Sequence, residues 1–340
     1  MELYRKFNFN NKILVIDGQP GCGKTLFSKI CSSFERVEIL NYAFEIEFVS
    51  KLYKFNKITE DAAITLAKMF ADHKIYQSMM GRETNFRYND LSSVFNYPHP
   101  IKYFKRIFSK GDKSIPNKIL LDKPILNLTC HDIFYYSDIL FKAFDKRLIF
   151  FEIIRHPLYM VIQQHINERE LINNPRDIQL KFNYLNYEIP YYADSCKGDY
   201  IKLNSIDKTI LAIYEITKKN DFHRKNFRYE KNNLLTIPFE KFVINPEVFL
   251  SNMCNLLGTK FSNKTKKILK QNNIPRTRIE DGIDLKVYRR YGWKKSIKNS
   301  SFEKEKNIRL KYLKDNNVSD KYYKIILELS EIYENKYAWF

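Results

Sequence analysis

Apolar residues fall along the chain in short blocks that alternate between two periods. Lys12-Ile-Leu-Val-Ile-Asp17 is a continuous apolar run closed by polar residues, the pattern of a strand buried on both faces of a parallel sheet. It passes through a glycine-rich stretch into Leu26-Phe-Ser-Lys-Ile-Cys31, which predicts a helix. Arg36-Val-Glu-Ile-Leu40 predicts a second strand, and residues 57–80 are helical in pattern. Residues 81–117 carry Gly81, Pro98, Pro100, Gly111 and Pro116 and predict an irregular excursion with a short helix near Ile101–Phe108. Of the two apolar runs that follow, Ile119-Leu-Leu and Ile125-Leu-Asn-Leu128, one is expected to be the next strand. Phe134–Phe144 predicts a helix, Arg147–Ile154 the strongest strand of the chain, and Pro157–Glu170 another helix. A polar, aromatic-rich segment at 172–204 predicts an insertion over the sheet. Ile206–Lys218 predicts a helix and Leu234–Phe239 a last strand; Pro246–Leu257 predicts a helix stopped by Gly258. Residues 302–340 read as amphipathic helix.

Strands alternating with helices give an α/β fold: three layers, a central parallel sheet flanked by helices, with helical insertions and a helical C-terminal tail. The expected organisation is one domain over residues 1–300, with insertions at about 81–117 and 172–204, and an extension at 301–340 packed on it.

Composition narrows the classes. The 340 residues are 44% apolar and 29% charged, which marks a globular chain and not a disordered one. No apolar run approaches the roughly 20 residues needed to span a bilayer. Met1-Glu-Leu-Tyr-Arg-Lys6 lacks the apolar block of a signal peptide. The five cysteines (Cys22, Cys31, Cys130, Cys196 and Cys254) form no CxxC pair, so reduced thiols, a cytoplasmic location and no metal site are expected. The net charge of +19 points to an anionic partner, yet 42 of the 58 cations are Lys in a chain also rich in Asn, Ile, Tyr and Phe. Those residue types share A/T-rich codons, so much of the charge reads as background. No basic helix with interleaved aromatics, finger or RNP-like run marks a nucleic-acid module.

Only nine residues are Gly, and three of them stand in Gly18-Gln-Pro-Gly21-Cys22-Gly23-Lys24-Thr25, a complete Walker A pattern between a strand and a helix. Glycines let the backbone curl around a phosphate with its N–H groups inward. Lys24 adds a mobile cation, and Thr25 opens a helix whose first amides extend the anion site. A kinase or ATPase should also offer a strand ending in Asp to organise Mg²⁺, for which Asp122 is the candidate. The strongest strand ends instead in Arg155-His156-Pro157, which puts a cation at the crevice where such sheets bind ligands.

Several segments together resemble the sulfotransferase family. Phe150-Phe-Glu-Ile-Ile-Arg155-His-Pro-Leu-Tyr-Met-Val-Ile-Gln163 resembles its second nucleotide motif, an apolar strand ending in Arg-x-Pro before a helix. Ile237-Pro-Phe-Glu240-Lys-Phe-Val-Ile-Asn-Pro246 with Met253-Cys-Asn-Leu-Leu-Gly258 looks like its later strand–helix–Leu-Gly segment. Ile125-Leu-Asn-Leu-Thr-Cys-His131 is similar to the strand that carries a catalytic histidine, and Tyr291-Gly-Trp293-Lys-Lys295 to its Gly-x-Trp-Lys/Arg segment. The resemblance implies a P-loop enzyme that takes 3′-phosphoadenosine-5′-phosphosulfate (PAPS) as sulfuryl donor, without Mg²⁺. Gly18, Gly21, Cys22, Gly23, Lys24 and Thr25 would cradle the phosphosulfate, with Arg155, Gln163, Arg276 or the Arg289–Arg290 pair at the 3′-phosphate. His131 would take the proton from the acceptor, a hydroxyl or amine of a carbohydrate, lipid or small metabolite, and Lys24 would offset charge on the transferred group. Two positions depart from the pattern. Gly21 stands where many members have a catalytic Lys, and Gln163 where a Ser helps hold the 3′-phosphate. The Walker-position Lys24 keeps Mg·ATP open as the alternative donor.

Other polar groups read as structure or as recognition. His156 and His165 flank the Arg155 motif, Glu152 and Glu240 suit structural hydrogen bonds, and residues 81–90, 182–192 and Arg278 could meet an acceptor or a phosphate.

Overall fold

The computed structural model describes residues 1–88, 90–171, 174–229, 233–279 and 301–337. Five parallel strands form the sheet: β1 (Ile13–Asp17), β2 (Val37–Tyr42), β3 (Ile125–Thr129), β4 (Leu148–Ile154) and a fifth at Leu234–Pro238. The first of them lies at the centre, flanked by β3 and β4, with β2 and the Leu234–Pro238 strand at the two edges. Helices α1 (Lys24–Cys31), α2 (Phe44–Lys54) and α3 (Glu60–Met80) precede the short α4 (Pro100–Arg106) and α5 (Ile115–Asp122). Then come α6 (Asp138–Phe144) and α7 (Pro157–Leu171), the hairpin β5 (Lys181–Tyr184) and β6 (Tyr187–Pro190), α8 (Lys197–Tyr200) and α9 (Ser205–Lys225). The Leu234–Pro238 strand, β7, is followed by α10 (Phe239–Ile244), α11 (Pro246–Leu257), α12 (Asn263–Gln271), α13 (Phe302–Asp315) and α14 (Asp320–Tyr337).

The central strand shows why the apolar runs are continuous. Successive side chains point to opposite faces of a sheet. Leu14 and Ile16 join the core that includes Phe27 of α1, Val161 of α7 and Ile210 of α9; Ile13 and Val15 join the core of Ala67 and Ile75 of α3 and Leu140 of α6. With both faces covered, no position on the strand can be polar until Asp17 at its carboxyl end.

Sequence and structure part company at four places. Ile119-Leu-Leu lies within α5 and not in a strand, so Asp122 ends a surface helix and is no strand-end acid beside the phosphate loop. The strand is Ile125–Thr129, which pairs with β1. Helix α2 has no counterpart in the pattern reading, because Phe44-Glu-Ile-Glu-Phe alternates as a strand would. The excursion after α7 contains a two-stranded hairpin, and the C-terminal amphipathic stretch is two helices broken at Asn316-Asn317, where Asn317 turns left-handed (φ 56°). These last two helices pack on α7 and α9: Tyr333 donates to Glu240 (2.6 Å), and His156 Nε2 meets Glu334 (2.9 Å).

A buried ion-pair group ties the first excursion to the sheet edge. Glu38 of β2 is fully buried; Arg106 of α4 contacts both its oxygens (2.7 and 2.9 Å) and Lys102 donates to Oε1 (2.9 Å). Burial works against the Glu38 charge, but Lys102 and Arg106 outweigh it and hold the carboxyl at about 2. A carboxylate held below its ordinary value stabilises the fold above that value and loses its effect as pH falls through the native one. Glu38→Gln should therefore cost about 3 kcal/mol near neutrality, where Arg106 is left buried beside a neutral group, and much less at about pH 3. Urea unfolding at the two pH values measures both; an equal loss at each would contradict the ion-pair role.

Candidate active site

The phosphate loop leaves β1 at Asp17 and enters α1 at Lys24. Gly18 and Gly23 both have positive φ (148° and 100°), and a side chain has no room at either. A Cβ on Gly18 would sit 2.3 Å from the Ile153 carbonyl, and one on Gly23 2.6 Å from the Phe239 ring. The amide of Cys22 donates to Gln19 O (3.1 Å), closing the turn. The Cys22 side chain is buried, and burial pushes its thiol up to about 11. Lys24 is buried as well; its ammonium donates to the carbonyls of Gly18 and Gln19 (3.0 Å for the latter). Burial opposes that charge, but Cys22, Asp132, Asp17 and Glu47 around it raise its affinity for the proton above the ordinary value.

Arg155 leaves the end of β4 and crosses to the loop. Its Nη1 donates to Gly21 O (2.6 Å), its guanidinium lies 4.6 Å from the Phe239 ring, and Glu240 is 3.7 Å from Nε. Arg276 lies over the same ring at 5.6 Å and donates from Nη1 to Ile279 O (2.9 Å). Phe239 is therefore a shared platform for two guanidinium groups beside the loop. Gln163, on α7, packs on Gly21; a Cβ there would meet its Oε1 at 3.2 Å. Gly21, Lys24, Thr25, Arg155, Gln163 and Arg276 all line one cleft. Arg289, Arg290 and the Tyr291–Lys295 segment lie outside the described residues.

His131 stands two residues beyond β3, on the same cleft. Its Nδ1 is 3.0 Å from Oε1 of Glu47 on α2, a buried carboxylate. With Nδ1–H donated to Glu47, Nε2 is the ring nitrogen left to accept a proton. Lys51, one helical turn after Glu47, donates to the His131 carbonyl (3.1 Å) and lies 3.9 Å above the Tyr191 ring. Phe44 lies parallel to the imidazole at 5.8 Å and 6°. Glu47, Lys51 and Phe44 all come from α2, the helix the apolar pattern concealed, so this support was invisible in the sequence. Asp17 and Asp132 were also passed over, although each adjoins a residue already singled out.

The remaining candidates sort cleanly. His156 meets Glu334; His165 lies between Tyr312 Oη (2.8 Å) and Ser205 Oγ (2.9 Å). Burial holds both imidazoles down at about 4, so they sit neutral inside helix contacts. Glu152 receives Arg224 and the Thr236 hydroxyl (2.9 Å), and Glu240 accepts from Tyr333 and from the His156 amide (3.3 Å). All four make contacts within the fold. The cleft measures about 1720 Å³ and is walled in part by both excursions, through Leu91, Phe95 and Tyr97 of the first and Arg176, Ile178 and Tyr191 of the second. A single ligand pocket is typically about 300–1,000 Å³, so the cleft is larger than one such ligand fills.

Asp132, next to His131, is buried in the left-handed region (φ 55°), with Tyr191 Oη 3.3 Å from its Oδ2. Burial raises its carboxyl from 3.8 to about 6, against the pull of Lys24. The native chain then binds the proton more tightly than the unfolded one, and stability falls as pH climbs from 3.8 to about 6. Asp132→Asn, which suits the same φ, should raise stability at neutrality by up to about 3 kcal/mol and leave it unchanged near pH 4. Thermal unfolding across that pH range measures the difference; no gain at neutrality would contradict a buried, costly carboxylate.

The chain matches no protein-family model and no curated protein. Among solved structures it is similar to the sulfotransferase domain of a Synechococcus olefin synthase, at 12% identity over 94% of this chain and all of that one, with a TM-score of 0.42. It is likewise similar to the sulfotransferase domain of the curacin biosynthetic pathway, at 12% identity over 89% of this chain and 98% of that one, with a TM-score of 0.41. A sulfotransferase from Mycobacterium tuberculosis is similar at 8% identity over 83% of this chain and 76% of that one, with a TM-score of 0.37.

Proposed function

We propose that the protein transfers a sulfuryl group from PAPS to a hydroxyl or amine of a carbohydrate, lipid or small-metabolite acceptor. One observation carries the reading: the phosphate loop, two guanidinium groups and a carboxylate-oriented histidine open onto one cleft. The ordered motifs from Gly18 to Gly258 supply the family resemblance. The glycines suit the tight loop, because a Cβ at Gly18 or Gly23 would collide with the Ile153 carbonyl or the Phe239 ring, and Lys24, Arg155 and Arg276 line the cleft onto which the loop opens.

The donor's 5′-phosphosulfate would lie on the loop amides from Gly21 to Thr25, with Arg155, Gln163 and Arg276 available to its 3′-phosphate. Bound there, the donor supplies a sulfuryl group already carrying its leaving group. Lys24 would turn from the Gly18 and Gln19 carbonyls toward that anion, where a fixed cation offsets charge on the equatorial oxygens. His131 would accept the acceptor's proton at Nε2 while Glu47 holds the ring and offsets the imidazolium that forms. The carbonyl contact from Lys51 would keep the histidine's backbone in place during that transfer.

Mg·ATP is the second reading, favoured by the Walker position of Lys24 and by the buried Asp132 beside it. Calorimetric titration separates the two. Adenosine 3′,5′-bisphosphate should bind in the presence of EDTA, and Lys24→Ala should weaken it at least tenfold, since a hydrogen bond to a charged group contributes about 1.5–3 kcal/mol. Binding of Mg·ADP alone, with none of the bisphosphate, would overturn the sulfuryl-transfer reading in favour of phosphoryl transfer.

A further inference from the structure

Helix α4 is attached to the sheet edge by its polar side. Tyr103 Oη accepts from the Ile39 amide of β2 (2.8 Å), and Arg106 and Lys102 reach the buried Glu38. These contacts fix which face looks inward. The outward face is then left with Ile101, Phe104, Ile107 and Phe108, which are 68%, 53%, 50% and 76% exposed.

The rings form a continuous strip, exposed except at Phe86, which is half-buried against the core of Ile39, Leu40 and Val94, and are not scattered. Phe108 contacts Phe104 (5.4 Å between centroids), Phe104 contacts Phe86 (6.5 Å), Phe86 contacts Phe95 (6.2 Å) and Phe95 contacts Tyr88 (5.9 Å). Phe95 is also a wall of the cleft, so the strip runs from the outer face of α4 to the cleft's mouth. Around it cations outnumber acids, although Glu83 and Asp90 flank Phe86 and Tyr88. Residues 99–123 contain seven Lys or Arg against two Asp. Lys102 and Arg106 are committed to Glu38, while Lys105, Lys110 and Lys113 stand exposed beside the rings. Asp112 is turned toward Tyr76 and Arg82.

We infer that this ring strip and its lysine fringe form a docking surface for an anionic phospholipid bilayer, which would set the cleft's mouth at the headgroup layer. Exposed aromatic and aliphatic side chains enter the headgroup region, and lysines at their rim pair with lipid phosphates and carboxylates. A second copy of the chain fits less well, because a two-fold interface would press one lysine fringe against the other. The surface is held rigid by Glu38, Lys102, Tyr103 and Arg106, so docking needs no refolding of α4.

Co-sedimentation of the full chain with phosphatidylcholine vesicles, with and without phosphatidylserine, tests this in the absence of any donor nucleotide. Binding is expected only with phosphatidylserine and should weaken as salt rises. Phe104→Glu combined with Phe108→Glu should reduce it at least about tenfold with little change in melting temperature, because both side chains are more than half exposed. Lys105→Glu with Lys110→Glu keeps the rings and should give a comparable loss. A wild-type chain that stays in the supernatant, or a double phenylalanine variant that sediments as the wild type does, would overturn the proposal. So would a wild-type dimer that the phenylalanine variant dissociates without any vesicle binding, since a second copy would then be the occupant.

Discussion

The Asp17 carboxylate is the constraint on which the site depends. It ends the central strand, is fully buried, and accepts hydrogen bonds from the amides of Ile133 (3.0 Å) and Phe134 (2.9 Å). Through those two bonds the strand that launches the phosphate loop also fixes the turn after β3, where His131 and Asp132 stand. Burial raises the Asp17 carboxyl above its ordinary range, and the Lys24 ammonium opposes that shift. One side chain thus sets the relative position of the Gly18–Thr25 loop and His131, and it shares its charge balance with the loop's own lysine. Neighbouring parallel strands with their carboxyl ends level make this possible, since the crevice of such a sheet opens there.

The electrostatics divide by depth. Asp17, Glu47 and Asp132 lie buried around Lys24, whereas Arg155 and Arg276 lie partly exposed along Phe239. Buried acids hold the lysine charged and in place, and the guanidinium groups, backed by an aromatic ring, offer planar donors to an incoming anion. The net charge of +19 adds little to this arrangement. Most lysines are dispersed over the surface; the cations that matter are those that strand ends, a helix start and the segment after α12 deliver to the cleft, together with the fringe beside α4.

The sheet was legible because its inner strands are buried on both faces and read as mostly apolar runs, whereas the edge strands carry Glu38 and Asn41 or lie half-exposed at Leu234–Thr236. Arg155 was legible because it follows such a run directly, Lys24 because its glycine-rich loop joins such a run to a helix, and His131 because it closes Ile125–Thr129 at a distance of two residues. Glu47 was not, because its helix alternates apolar and acidic residues as a strand would, and its partner lies 84 positions away. Asp122 misled for the opposite reason: Ile119-Leu-Leu is apolar enough for a strand, yet Pro116 and the residues around it start a helix there. The exposed rings of α4 could not be sorted from core rings by pattern at all. Only the burial of Glu38, which turns the polar side of that helix inward, reveals them.

The most direct measurement is release of adenosine 3′,5′-bisphosphate from PAPS over a panel of hydroxyl and amine acceptors, comparing the wild type with His131→Ala. Acceptor-dependent release by the wild type, lost by at least about a hundredfold in His131→Ala while bisphosphate affinity is retained, is the expected result for a histidine acting as general base. Undiminished turnover by His131→Ala would contradict a catalytic imidazole at this cleft and leave the Glu47–His131 pair a structural contact.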